Sequence, residues 1–434
     1  MRRTTIVGRV AATLGYPNLT LVSAEKRQGM RAFWMDGLFS SLSGAFADPY
    51  YTLYLLSLNA SNAQIGLVNT LNQLVGALLS FPGASIASRT GRYKGLVLLC
   101  GVLSRLMWVV MLAAPLLLGM DWAVWLVLFA WVALSGINAL GNAAWTALSA
   151  DLVPPRFRGG YFASRNTIIH LVRLAAIPLA GQLIYAVGEP EGYQVSLGIA
   201  FAIGLIAVYY YAQIPEHSGT FRRVRVSMRR IVTGTRDLPN FTRFVASHST
   251  LQLGVMLSGP FINVYMVEEA GFNVGVISLV ATVSVASTLV GMRIMGRVHD
   301  RLGITSTMRF GLLIPLIPVA WLWVRHPWQA YLVETFSALT WAGYNLGAFN
   351  LLLASTPDDH RPQYVALYTT LVSVVGGIGP VIGGWLLDWL DFGPAFTISA
   401  VVRGLGFVLF FVLVREPEVA DPDESAGESG DEAA

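Results

Sequence analysis

Seven ionisable side chains lie inside long apolar stretches of the sequence, where a charge is costly unless it is paired. Two of them, Asp36 and Asp48, are carboxylates that could exchange a proton, with Arg173 or Arg105 as the charge that tunes their proton affinity. Alternatively, Asp36 and Arg105 form a structural ion pair between two helices. The whole set is Asp36, Asp48, Arg105, His170, Arg173, Glu334 and Arg403.

The apolar segments that position these side chains have the composition of membrane-spanning helices. Of the 434 residues, 54% are hydrophobic and 12% are charged, about half the charged fraction that is usual for soluble domains. Apolar runs of about twenty residues recur along the chain, each long enough to cross a bilayer as a helix. The sequence therefore predicts an all-α integral membrane protein whose surroundings are the lipid bilayer of the cytoplasmic (plasma) membrane.

Several function classes are disfavoured by the composition and motifs. The single cysteine, Cys100, leaves no disulfide or metal framework, and the histidines have no metal-ligand spacing. No glycine-rich phosphate loop ends in Lys-Ser or Lys-Thr, so direct ATP coupling is not expected. The net charge of +4 is attributed to membrane topology. We expect no enzyme activity, no metal or cofactor beyond a proton gradient, and no nucleic-acid partner.

The apolar runs predict twelve membrane spans, six on each side of a basic stretch. The expected spans are 31–57, 63–87, 95–118, 122–150, 161–187, 193–213, 241–267, 273–296, 306–324, 328–354, 362–388 and 394–414. The domains are then an arm at 1–30, a six-helix bundle at 31–213, a basic cytoplasmic linker at 214–240, a second bundle at 241–414 and an acidic disordered tail at 415–434.

Basic residues are concentrated in every second loop. The even-numbered loops carry the arginines, most densely between Arg222 and Arg236, whereas the odd-numbered loops carry acidic residues such as Asp121 and Glu189. Arg325 is the exception. Because Lys and Arg favour the cytoplasmic side, the even-numbered loops and both termini are predicted to be cytoplasmic.

The two halves of the sequence are related. Asp48-Pro-Tyr-Tyr-Thr-Leu-Tyr54 in the first span matches Gly259-Pro-Phe-Ile-Asn-Val-Tyr265 in the seventh, and Asn142 in the fourth span corresponds to Asn345 in the tenth. Two copies of a six-helix unit explain these matches, and transporters are often built from such repeats.

A charged motif separates the eighth and ninth spans. It reads Gly296-Arg-Val-His-Asp-Arg-Leu-Gly303, so that Asp300 and Arg301 lie between two glycines where two membrane helices turn back at the water interface. A weaker copy after the second span has Ser88 at the aspartate position. Its other members are Gly83, Arg89, Gly91 and Arg92.

The motif from Gly296 to Gly303 resembles the signature of the major facilitator superfamily, and the stretch from Asp151 to Gly160 after the fourth span is also typical of that family. The resemblance covers nearly the whole chain. It implies twelve transmembrane helices in two pseudo-symmetric six-helix bundles, with the motif aspartate helping to hold the cytoplasmic side closed in one state.

The resemblance also implies that spans one, four, seven and ten line a central cavity. Polar and aromatic residues on these spans would contact a substrate that has both apolar and hydrogen-bonding parts; hydrogen bonds between helices are the alternative role. The candidates are Tyr50, Tyr54, Asn138, Asn142, Trp145, Gln252, Asn263, Trp341, Tyr344 and Asn345.

A glycine motif in the eleventh span resembles the antiporter signature of drug exporters, although that signature belongs in span five. The fifth span keeps only Pro178 and Gly181 of it. The alternative is that these residues form hinges and close helix contacts. The residues concerned in span eleven are Gly379, Pro380, Gly383 and Gly384.

We therefore expect a monomeric secondary transporter of a small molecule that works by alternating access, with proton coupling and export of an amphipathic compound favoured. Two alternatives remain. One is an uptake permease for a sugar-like metabolite. The other is a non-transporting receptor or assembly factor that keeps the fold.

Overall fold

The computed structural model describes residues 23–90, 93–215, 235, 238–357 and 361–414, with the backbone alone at residues 81, 84, 87–90, 300, 302–307, 362 and 363. Within these ranges all regular secondary structure is helical. The predicted tail, nearly all of the basic linker and most of the arm lie outside the described residues, so these domain boundaries stay predictions.

Twelve helical segments follow the predicted spans. Eight of the described helices are long and apolar enough to cross a membrane by these criteria alone. The segments are α1 (Ala24–Ala45 and Tyr51–Ser57), α2 (Asn62–Thr90), α3 (Tyr93–Leu117), α4 (Met120–Leu152), α5 (Arg158–Val187), α6 (Glu191–Ala212), α7 (Pro239–Ser258 and Ile262–Glu268), α8 (Val274–Phe310), α9 (Leu316–Trp321), α10 (Pro327–Ala354), α11 (Arg361–Leu390) and α12 (Phe392–Leu413).

Helices α1 and α7 are interrupted at corresponding points. Each contains a short 3₁₀ turn, at Asp48–Tyr50 in α1 and at Gly259–Phe261 in α7. Pro49 and Pro260 lie in these turns; a proline lacks the N–H of a regular helix and its ring clashes with the preceding turn. The sequence match between the halves is therefore also a structural repeat.

The tyrosine that follows each break anchors it in the same way. Tyr54 donates its hydroxyl to the carbonyl oxygen of Met111 on α3 at 2.9 Å. Tyr265 donates to the carbonyl oxygen of Val324, just after α9, at 3.4 Å. Both tyrosines are buried. In each half, the segment that follows the break in the first helix is therefore fixed to the third helix or its end.

Because successive helices run antiparallel, their ends form two faces. The terminal face contains the described ends of the chain at Ala24 and Leu413. The distal face contains the opposite ends, including the loop between α1 and α2. Exposed tryptophans mark the distal face, where indole rings suit a membrane–water interface. They include Trp122, Trp323, Trp328 and Trp389.

The two halves meet along a seam formed by α2 with α11 and α5 with α8, and its tightest contacts lie towards the distal face. A Cβ atom on Gly66 would lie 2.3 Å from the carbonyl oxygen of Pro380, and one on Gly181 would lie 2.2 Å from the Cβ of Ser278. A Cβ atom on Gly384 would lie 2.6 Å from the carbonyl oxygen of Asn62, at the start of α2. Only glycine permits this approach of the backbones.

The other residues of the predicted hinge and packing set lie at helix contacts within a half or inside helices. A Cβ atom on Gly383 would lie 2.1 Å from the carbonyl oxygen of Leu257, and one on Gly379 would lie 2.7 Å from the Cβ of Met256. Pro178 lies inside α5. These positions fit the packing interpretation of the glycine motif.

The structure corrects the prediction that residues 296–303 form a turn. Helix α8 is helical from Val274 to Phe310, and therefore through Gly296 and Arg301. The physical reason is that this stretch contains no proline, and isolated glycines weaken a helix without ending it. Arg301 is exposed. The side chain of Asp300, the surroundings of Gly303, the side chain of Arg89 and both Gly91 and Arg92 lie outside the described residues.

Candidate functional site

The N-terminal half contains a cavity of about 280 Å³ between α1, α3, α4 and α6, with one side chain contributed by α5. Contacts between α1 and α4 are few, and small residues, Gly101 and Gly141, widen the space. Five residues predicted from the sequence line it. They are Asp36, Arg105, Asn138, Asn142 and Trp145.

Asp36 forms a buried ion pair with Arg165, whose Nη2 atom lies 3.4 Å from the carboxylate; the side chains are 10% and 8% exposed. Ser40 donates a hydrogen bond to the same carboxylate at 3.2 Å. The predicted alternative partner, Arg105, is not in direct contact with Asp36 and instead reaches Ser40 at 3.3 Å. The expectation of an Asp36–Arg105 pair is therefore wrong, since α5 presents a closer arginine.

Arg165 is not among the residues predicted for the site. It lies two turns inside α5, which begins at Arg158. Its guanidinium group packs over Phe33 at 4.4 Å and Trp145 at 5.4 Å. A Cβ atom on Gly37 would lie 2.7 Å from its Nε, so this glycine makes room for the arginine.

Arg105 lies midway along α3 and donates hydrogen bonds to Ser104 at 3.0 Å and Ser40 at 3.3 Å. In the described part of the chain it has no carboxylate within 4.0 Å, since the ion pairs found there are Asp36–Arg165 and Asp48–Arg173. Its Nε atom is buried and has no hydrogen-bond partner there.

Asp48 and Arg173 form the second ion pair, with 3.1 Å between the Nη1 and Oδ2 atoms. It is more open, since the side chains are 48% and 28% exposed. Asp48 begins the 3₁₀ turn of α1, and Gly44, one turn earlier, leaves room for its carboxylate. His170 lies one turn before Arg173 and is half-buried.

The two tyrosines predicted for the cavity lie elsewhere. Tyr50 is buried and donates its hydroxyl to the carbonyl oxygen of Ile177, which joins the break in α1 to α5. Tyr54 is the buried anchor of the break described above. The rotation of α1 about its axis explains the difference. Tyr50, in the break, and Tyr54, after it, both point towards neighbouring helices.

In the C-terminal half, an aromatic cluster replaces the charges. The Nδ1 atom of His248 lies 2.7 Å from the hydroxyl of Tyr344, and the two rings are stacked. Trp341 packs edge-on against Tyr344. Gln252 contacts Gly376 of α11.

The remaining predicted residues of the C-terminal half are separate from this cluster. Asn345 is exposed, as is its counterpart Asn142, whereas Asn263 is half-buried beyond the break in α7. Glu334 lies near Ser284 of α8.

Arg403 is the buried cation of this half, with 2% of its surface exposed. It donates to Ser258 at 2.7 Å, to the carbonyl oxygens of Gly254 and Val255 at 3.5 Å, and to that of Ile314 at 3.4 Å. These contacts join α12 to α7 beside its break and to the start of α9. The geometry is that of a structural joint.

Gly83, from the weaker copy of the charged motif, is also a packing residue. A Cβ atom there would lie 2.4 Å from the carbonyl oxygen of Leu140, so Gly83 brings α2 against α4.

Comparison with known proteins agrees with this architecture. The sequence profile of the Major Facilitator Superfamily matches residues 36–247 and 244–432. The multidrug resistance protein MdtG of Salmonella heidelberg is 24% identical over 399 residues, which cover 88% of this chain and 93% of the relative; MdtG of Salmonella typhi gives the same figures.

Two solved structures share the fold. The first is a bacterial homologue of the human lysosomal transporter Spinster, inward-facing and occupied, which superimposes with a TM-score of 0.68 at 15% identity and covers 90% of this chain and 97% of that one. The second is the nucleoside transporter NupG, with a TM-score of 0.66 at 13% identity, covering 91% and 100%.

Proposed function

Because this chain belongs to the major facilitator superfamily, we propose that it is a proton-coupled exporter of amphipathic small molecules. The chain is a multi-pass membrane protein and a secondary transporter, not an enzyme. We propose its direction of transport, its coupling ion and its substrate class.

The observation that carries proton coupling is the ion pair between Asp48 and Arg173. It lies at the break in α1, close to Ile177 and the tight seam at Gly181, and it is half-exposed. Protonation of Asp48 would remove its charge and release Arg173, so that the α1–α5 contact could change as the halves rock. During this change, the more deeply buried ion pair of Asp36 and Arg165 keeps α1 and α5 in contact.

The contacts of the seam support an orientation. They lie towards the distal face, while Asn138 and Asn142 are exposed on the face of α4 that borders the cavity. We therefore propose that this conformation is open to the terminal face. Arginines at that face, such as Arg156 and Arg301, favour its assignment to the cytoplasm, with both termini cytoplasmic.

Export is supported by the MdtG relatives, which are multidrug resistance proteins. Trp145 and the two asparagines give the cavity apolar and hydrogen-bonding walls, as an amphipathic substrate requires. One chain contains both halves and the seam between them, so we propose a monomer that works in the inner membrane without a cofactor.

The test is transport into inside-out vesicles with an imposed pH gradient, using fluorescent amphipathic compounds of both charge signs. We expect accumulation that collapses when the gradient is dissipated. Asp48→Asn should transport without responding to the gradient, and Asp121→Asn, an exposed aspartate at the distal face, should behave as the wild type. Gradient-driven accumulation by Asp48→Asn at the wild-type rate would contradict proton coupling at this residue.

A further inference from the structure

We infer that the cavity of the N-terminal half binds an organic anion, through a single negatively charged group held by Arg105 and Tyr211. This rests on the proposed transport function and adds the charge of the substrate to it. The bound group would be a carboxylate or a group of similar charge on a small apolar body.

The first observation is a surplus of positive charge. Three arginines, Arg105, Arg165 and Arg173, face two carboxylates, Asp36 and Asp48, and each carboxylate is already engaged by one arginine. Of these three arginines, Arg105 is the one without a carboxylate at ion-pair distance, and its guanidinium group lies over the Trp108 ring at 5.6 Å. A cation inside a membrane protein needs a partner, and the ring and the serine hydroxyls that Arg105 contacts carry no net charge.

The second observation is a pair of buried polar atoms without partners on two residues that line the same cavity. Tyr211 is 3% exposed, and among the described residues nothing hydrogen-bonds its hydroxyl. The Nε atom of Arg105 is also buried and has no hydrogen-bond partner there. Buried donors without acceptors are costly, so a small shift of either side chain towards the cavity would let it donate to an anion bound there.

The third observation is the shape and lining of the space. A volume of about 280 Å³ is close to the lower limit of small-molecule pockets. Trp145 and Val208 supply apolar walls beside the two donors. A molecule with an aromatic or branched apolar body and one acidic group fits this combination.

The test uses three molecules of nearly equal shape: naphthoate, naphthamide and naphthylmethylammonium. Binding is measured by isothermal calorimetry and thermal shift on the purified full chain in phosphatidylcholine nanodiscs. We expect naphthoate to bind and raise the melting temperature, and the amide and the ammonium compound to bind roughly 10- to 100-fold more weakly.

Three variants assign the binding to the named residues. Arg105→Gln should remove the preference for the anion, Arg105→Lys should keep part of it, and Tyr211→Phe should weaken naphthoate binding by roughly 3- to 10-fold. The control is Arg309→Gln, an exposed arginine at the terminal face, which should bind as the wild type. Tyr211→Phe keeps the side-chain volume, so it tests the site even if the arginine variants fold poorly.

An anionic lipid headgroup could supply the same chemistry. Repeating the titration in nanodiscs that contain phosphatidylglycerol separates the sources, since weaker naphthoate binding there would show that headgroups share the site. Equal binding of the anion and the amide by the wild type, or undiminished anion preference in Arg105→Gln, would overturn the inference. If the vesicle assay shows export of neutral or cationic compounds only, the transporter stands and this inference fails.

Discussion

The two halves of the molecule share serine hydrogen bonds near their helix breaks but differ in their buried charges. Ser196 of α6 donates to the carbonyl oxygen of Phe46, just before the break in α1, at 2.6 Å. Ser399 of α12 donates to the carbonyl oxygen of Gly254, about one helical turn before the break in α7, at 2.7 Å. Among the described residues, the N-terminal half then adds two ion pairs and Arg105, which has no carboxylate partner there, whereas the C-terminal half adds Arg403, which is bonded to carbonyl oxygens and a serine.

This difference indicates which features belong to the scaffold. Breaks, anchors and serine joints recur in both halves because both must hold a bent helix between its neighbours. A charge that does not recur, such as Asp48 where the other half has Gly259, is not part of the repeated scaffold. It either stabilises its own half or serves transport, and the following substitutions distinguish these two roles.

The largest effect is expected at the buried pair. Asp36→Asn leaves Arg165 buried without its counter-ion and should lower the free energy of unfolding by about 3–5 kcal/mol. Thermal and denaturant unfolding in detergent would measure it. A double-mutant cycle with Arg165→Gln should show strong coupling; additive losses would mean that the pair contributes no structural energy.

The next effect is expected at Arg403. Arg403→Ala should cost about 2–5 kcal/mol, because it leaves a cavity among α7, α9 and α12 and removes the hydrogen bonds between them. Arg309→Ala, at an exposed site, should change stability by about 0.5 kcal/mol or less. Arg403→Met keeps most of the volume; if it were as stable as the wild type, the charge would have no part in the joint.

A smaller effect tests the repeated anchors. Tyr54→Phe and Tyr265→Phe each remove one hydroxyl bond to a carbonyl oxygen and should each cost about 0.5–1.5 kcal/mol. Tyr265→Phe should be the larger of the two, because that hydroxyl also contacts Arg325. Unfolding curves of both variants would measure these two losses of stability. A loss in Tyr54→Phe alone would show that the two anchors are not equivalent.

The smallest effect on stability is expected at the half-exposed pair. Asp48→Asn should change the unfolding free energy by about 0–1 kcal/mol, as is usual for exposed ion pairs, while the response of transport to pH is lost. Measuring both quantities on one preparation makes the contrast with Asp36 direct. A stability loss as large as that of Asp36→Asn would assign Asp48 to the scaffold.

The sequence predicts the helices well because length and hydropathy determine them. The ends of α4 and α12 lie within a few residues of the predicted spans. It predicts partners less well, since contacts depend on the rotation of each helix about its axis. Arg165, which is not among the predicted site residues, pairs with Asp36, and Tyr50 turns towards another helix instead of the cavity.

One signal in the sequence could have improved the assignment of charges. Gly37, Gly44 and Gly204 each lie against an arginine or its ion pair, where a Cβ atom would collide with it. A glycine on a membrane helix can therefore indicate that the long side chain of an arginine from a neighbouring helix lies against it. Recognising it requires knowing which helices are neighbours, and that knowledge comes from the fold.

The glycine contacts of the seam have a consequence for the speed of the transport cycle. Where a Cβ would meet a carbonyl oxygen, as at Gly66 and Pro380, the glycine has only hydrogen atoms, and such Cα–H···O contacts contribute about 0.5–1 kcal/mol each. Neither ion pair of the described residues crosses the seam, so these contacts can separate stepwise without first breaking one. An alanine at Gly66 would then act as a wedge that shifts the population towards the conformation in which the distal face is open.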